Sequence, residues 1–123
     1  MLEKVLERKF ALERYWYKIV DTDSLGRIKT LFHGVSGSRI IPQGQWIRAE
    51  VKTVHDGSSG TPYQSGWHVM KSVDECVAYL KKFKNVENKA IIKCKIRGNL
   101  WPKEHSPSDV WLAEWLWFEE IIG

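Results

Sequence analysis

The chain has 123 residues, of which 43% are hydrophobic and 28% charged, and a net charge of +4. That length suits one domain around one core, and the balance excludes a disordered chain. No apolar run approaches the roughly 20 residues that span a bilayer, and the opening MLEKVLERKF is too charged for a signal peptide. The expectation is therefore one domain over 1–123, no membrane and a cytoplasmic location.

Leu2, Val5, Leu6 and Phe10 recur at helical spacing among Glu, Lys and Arg, which predicts an amphipathic helix over 1–13 ahead of a core spanning 16–122. WYKIV (16–20) and RIKTLFH (27–33) flank DTDSLG, whose Asp, Ser and Gly favour a turn, so a hairpin follows. His33 closes its second strand, and Gly34 opens a Gly/Ser stretch that ends on Ser38 and Arg39. WIRAEVKTV (46–54) alternates as a strand, HDGSSGTPYQSG (55–66) has the composition of an exposed loop, and WHVM (67–70) is a short strand.

Ser72 and Glu75 then form a capping box for a helix over 73–83, with Val73, Cys76, Val77 and Leu80 as its apolar face and Lys81, Lys82 and Lys84 at its negative end. KAIIKCKIR (89–97) alternates Ala90, Ile92, Cys94 and Ile96 inward with Lys93, Lys95 and Arg97 outward, and NLWPKEHSPSD (99–109) is a connecting loop. In VWLAEWLWFEEII (110–122) helical spacing groups Trp111, Trp115 and Phe118. Strand alternation instead sets Trp111, Ala113, Trp115 and Trp117 against Val110, Leu112, Leu116 and Phe118, which suits a sheet buried on both sides. The sum is an α+β domain: a mostly antiparallel sheet of five to six strands with one or two helices.

Cys76 and Cys94 stand far apart with no zinc spacing, and His33, His55 and His68 match no ligand pattern, so no metal is expected. Neither a G-x-S-x-G elbow nor a phosphate-binding P-loop is present, which sets aside conventional hydrolases and NTPases. Charge is polarised: 81–97 carries seven Lys/Arg against one acid, and 104–123 carries five acids with no Lys/Arg. A basic strip and seven Trp suit single-stranded nucleic acid. The Trp residues, however, cluster in the acidic segment, so core Trp is the expectation there, with Trp16, Trp46, Trp67 and Trp101 as candidate rim aromatics.

LFHG, followed about thirty residues later by SGWHVMKSVDECVAYL, is similar to the layout of the ADP-ribosyltransferase superfamily. That resemblance implies an ADP-ribosyltransferase-like fold and NAD as cofactor. It also implies His33 and Gly34 at the nicotinamide ribose, with His68 standing where the family has Tyr or Ser, and a Glu that activates the acceptor; Glu114, Glu119 and Glu120 of the final segment are the candidates, and Glu114 is preferred because it interrupts an otherwise apolar face. A broader pattern, YKIV, LFHGVSGSRIIP, WIRA, DGS, YQSGWHV and WPKEHS, resembles small proteins of bacteriophages and mobile elements. It implies an accessory role that antagonises host defence.

The leading expectation is an accessory protein that binds a nucleotide-like molecule or a host protein. Its ligand would meet His33, Gly34, Ser38, Arg39, Asp56, Tyr63, Trp67 and His68, on strand ends and loops. The alternatives are an NAD-dependent ADP-ribosyltransferase using His33 and Glu114, and a single-stranded nucleic-acid-binding protein.

Overall fold

The computed structural model describes residues 14–31, 40–49, 66–83, 86–103 and 109–122, together with the backbone of 53–55 and 62–64. The expected helix over 1–13 lies outside these residues. So do His33, Gly34, Ser38, Arg39 and Asp56, and the side chain of Tyr63.

The α+β class holds. A six-stranded sheet runs β2-β1-β7-β8-β3, with β6 also on β8, and every pairing between these strands is antiparallel. The strands are β1 (Trp16–Thr22), β2 (Ile28–Lys29), β3 (Trp46–Arg48), β6 (Trp67–Val69), β7 (Lys89–Pro102) and β8 (Trp111–Ile121). β4 (Thr53–His55) and β5 (Pro62–Gln64) make a separate antiparallel pair, and α1 (Val73–Leu80) is the single helix among the described residues.

β1 and β2 are joined by a turn that Asp23 organises. Its carboxylate accepts from the backbone N–H groups of Leu25 and Arg27 and from Arg27 Nε, which holds its pKa down at about 2. The sheet then curls into a half-barrel, because Tyr17 and Met70, just past β6, exchange backbone hydrogen bonds of 2.9 and 2.7 Å. Inside the curl pack Trp16, Val20, Trp67, Val69, Ile92, Cys94, Ile96, Leu116 and Phe118. Ile19, Ile91, Met70, Cys76 and Val110 form a second cluster where α1 lies against the other side of β1. β1 is thus apolar on both faces, which is why its short run of Ile and Val shows no clean alternation.

The N-terminus of α1 forms as its signature predicts: Ser72 Oγ accepts from Glu75 N at 3.2 Å. The helix stops at Leu80 rather than at 83, and Val77, expected on the apolar face, is 46% exposed. A more consequential correction concerns 46–54. β3 pairs with β8 only at Trp115–Trp117, because β6 takes the same edge of β8 at Trp111–Ala113. One edge cannot serve two strands at once, so the chain leaves it after Ala49 and forms β4, and the expected loop over 55–66 contains β5. β7 likewise continues to Pro102 where a loop was expected, by a bulge described below.

Inside the curl, Lys18 is 5% exposed, with its ammonium donating to the His68 carbonyl at 3.0 Å and lying over the Trp67 ring. Burial lowers its pKa from 10.5 to about 8. Both cysteines are free and buried, and burial pushes each thiol up to about 12, so neither is a ready nucleophile. Lys18 opposes folding at neutral pH. Below pH 8 it is charged in both states and carries the full penalty, about 3 kcal/mol from the shift. From pH 8 to 10.5 the native state loses the proton first, and the penalty fades. Lys18→Met, which keeps the stem but removes the donor to His68, is expected to stabilise the fold by about 2 kcal/mol at pH 7. Its advantage over the wild type should shrink towards pH 10, as read by urea melts of both proteins.

Candidate functional site

The solvent face of β7, β8 and β3 carries two rows of side chains set by register. In one, Lys95 pairs with Trp117 and Trp117 with Trp46; in the other, Arg97 pairs with Trp115 and Trp115 with Arg48. Paired residues share a face, so cations and indoles stand side by side. Tyr15, just ahead of β1, extends the first row, with Lys93 Nζ 4.1 Å and Lys95 Nζ 5.8 Å from its ring. The row crosses four strands, about 14 Å at the usual strand spacing.

Arg97 lies at the centre of this face. Its guanidinium is 4.4 Å from the Trp46 ring and 4.7 Å from the Trp115 ring, while Trp46 and Trp117 meet at 5.6 Å. Beside it opens a cleft of about 360 Å³ lined by Arg14, Tyr15, Trp46, Lys95, Ile96, Arg97 and Gly98. Arg14 is fixed at the wall by the carbonyls of Tyr15 and Lys71. Carboxylates border the strip: Glu119 is 3.8 Å from Lys95 and accepts from Trp117 Nε1 at 2.9 Å, and Glu120 is 3.5 Å from Lys93.

A β-bulge aims Arg97. Between the pairs Arg97–Trp115 and Leu100–Ala113, β7 spends three steps where β8 spends two. Gly98 takes the extra step at φ +81°, a conformation that disfavours any side chain, and Asn99 presents an N–H displaced from the ladder. Glu114 satisfies it. One carboxylate oxygen accepts from Asn99 N at 3.2 Å, and the other takes Arg48 Nε at 3.2 Å and Nη2 at 3.1 Å. The same irregularity shifts the alternation of β8, so Ala113 packs in the cluster that holds Leu116 and Phe118, not with Trp115 and Trp117.

Of the sequence-predicted site residues, the described part places three. Trp67 is a core residue, not a stacking platform: it is 4% exposed and its Nε1 donates to the Ile47 carbonyl at 3.0 Å. His68 sits on β6 opposite Leu112, and its carbonyl receives Lys18. Glu114 clamps the bulge, with both oxygens engaged. Tyr63 is placed only by its backbone, in β5 opposite Val54. His33, Gly34, Ser38, Arg39 and Asp56 fall outside the described residues. The expected core role of the C-terminal Trp residues holds for Trp111, which packs against the core beside Trp16, and is corrected for Trp115 and Trp117, which are only half-buried and stand beside the β7 cations. Arg48 and Arg14, which sequence reasoning passed over, lie in single strand-edge positions that carry no motif.

Comparison of the chain with protein-family models, curated proteins and solved structures finds no match. Among the described residues there is no His/Cys/Asp/Glu group fit to hold a metal, and no helix long and apolar enough to cross a membrane.

The clamp role of Glu114 has a direct consequence. A Cβ on Gly98 would lie 2.6 Å from Glu114 Oε1 and 2.9 Å from Trp115 Cδ1. Gly98→Ala should therefore cost about 1–3 kcal/mol of stability from clash and backbone strain together. Glu114→Ala, which strips Asn99 and Arg48 of their acceptor, should cost about 1–2 kcal/mol. Thermal melts followed by circular dichroism measure both, and no loss in either variant would refute the clamp.

Proposed function

We propose that the protein is a binding module for single-stranded nucleic acid and that the open face of β7, β8 and β3 is its ligand surface. The observation that carries this reading is the pair of rows Lys95–Trp117–Trp46 and Arg97–Trp115–Arg48, extended by Tyr15. Unpaired bases stack on indole and phenol rings whatever their sequence, and the cations between them meet the phosphates. Five cations (Arg14, Arg48, Lys93, Lys95 and Arg97) face three carboxylates (Glu114, Glu119 and Glu120), leaving the face positive.

The long contacts of Lys93 and Lys95 with their carboxylates are exposed, and such pairs contribute at most about 1 kcal/mol, which a phosphate can replace. The objection that Trp and Lys lie in different segments loses its force, because antiparallel pairing brings the segments together. This proposal takes up the single-strand alternative in place of the leading expectation of a nucleotide-like molecule or host protein near His33, and it keeps the accessory role.

Titration of Trp fluorescence with an oligothymidylate of about ten nucleotides tests the proposal. Quenching is expected, with affinity falling about tenfold between about 50 and 200 mM salt, as two or three phosphate contacts would give. Trp46→Ala and Trp117→Ala should each weaken binding about tenfold through lost stacking. Absence of any saturable binding at low salt, or binding indifferent to both Trp substitutions, overturns the function.

A further inference from the structure

The cations of the sheet face fall into two sets. Lys93 faces Glu120, Lys95 faces Glu119 and Arg48 is bound by Glu114, so each already has a carboxylate. Among the described residues no carboxylate lies within ion-pair distance of Arg97 or Arg14, and no hydrogen-bond acceptor meets the Arg97 guanidinium. Both of these arginines line the cleft of about 360 Å³. The Arg97 guanidinium carbon lies 4.4 Å from the Trp46 ring and 4.7 Å from the Trp115 ring. Ring contacts use up none of the five N–H donors that a guanidinium carries in a fixed fork.

From this division we infer that the cleft is the anchoring subsite of the strand, which takes one backbone phosphate on the N–H edge of Arg97 and the adjoining base against Tyr15 or Trp46. The inference rests on the proposed strand-binding function and assigns its energy unevenly across the face. A phosphate arriving at Arg97 displaces no carboxylate, and the forked donors meet two of its oxygens at once. A phosphate arriving at Lys93 or Lys95 must first part an existing pair, so its gain is small. The bulge at Gly98 belongs to the same device. Glu114 occupies Arg48 and the displaced Asn99 N–H, which keeps its carboxylate away from Arg97 while fixing the backbone next to it.

The test compares charge removal at the two kinds of site with the same oligothymidylate. Arg97→Met should weaken binding at least tenfold. Arg97→Lys, which keeps the charge but loses the fork and the stacked plane, should weaken it about fivefold. The paired replacements Lys93→Met with Glu120→Gln, and Lys95→Met with Glu119→Gln, remove a cation together with its carboxylate and should change affinity less than about threefold. The slope of log affinity against log salt should fall by about 0.7 in Arg97→Met and stay close to wild type in both paired variants. Circular dichroism melts confirm that each protein is folded, and the Arg97→Lys result carries the test if Arg97→Met is not. If the wild type binds and the paired variants lose as much as the Arg97 variants, the anchoring subsite is refuted and strand binding stands. If the wild type binds no strand at all, the proposed function falls and the subsite with it.

Discussion

The antiparallel pairing of β7 with β8 is the constraint on which the rest depends. These are the two longest strands, and their ladder runs from Ile92–Ile121 to Pro102–Trp111. On the inner face it sets Cys94 beside Phe118 and Ile96 beside Leu116, the centre of the core. On the outer face the same register sets Lys95 beside Trp117 and Arg97 beside Trp115. One set of backbone hydrogen bonds therefore determines both the stability of the domain and the composition of its candidate ligand surface. A slip by one residue would exchange the two faces, burying cations and exposing the aliphatic core, so the register is strongly specified.

Two cations show how differently the two faces treat charge. Lys18, inside the curl, has its ammonium against a carbonyl and an indole face, and burial displaces its proton equilibrium towards the neutral amine. Arg97, outside, also meets indole rings, but no hydrogen-bond acceptor among the described residues meets its N–H groups. Guanidinium suits that position because it is weakly hydrated on its faces and strongly donating in its plane. A lysine there would have no plane to insert between Trp46 and Trp115. The bulge makes the arrangement possible, since it twists β7 just after Arg97 and supplies a glycine where a side chain would strike Glu114.

Local signals in the sequence identified several elements well. The turn residues of DTDSLG, the Ser72–Glu75 box and the alternation of 89–97 each act over a few residues, and each formed where its chemistry placed it. Competition between strands was not legible: nothing within WIRAEVKTV says that β6 will occupy the edge of β8 and force β3 to end. The phase shift in β8 was hidden for a similar reason. Strict alternation over 110–118 is the default, and the break at Glu114 depends on Gly98 and Asn99 in the partner strand. Glu114 stood out as a carboxylate in an apolar strand, and that anomaly was real, but its cause was an orphaned N–H rather than a reaction. The strip of Trp and Lys was visible as two separate compositional biases. Only pairing, which is non-local, superimposes them.

The acidic border of the candidate ligand face bears on what sort of binder such a surface would make. A strip of lysines alone would attract any polyanion, duplex or single strand, through counterion release, with affinity collapsing as salt rises. Pairing Lys93 and Lys95 with Glu120 and Glu119 removes much of that indiscriminate attraction, because each phosphate contact there must replace an existing one. What remains distinctive is Arg97, a cation that meets no carboxylate among the described residues and stands beside the Trp46 and Trp115 rings. In the proposed function, selectivity for single strands would then come from geometry more than from net charge: a base in a duplex has both its faces stacked on neighbours and offers none to Trp46, Trp117 or Tyr15. In the proposed function the carboxylates would thus weaken total affinity while shifting its source from phosphate to base, the direction that favours discrimination between paired and unpaired strands.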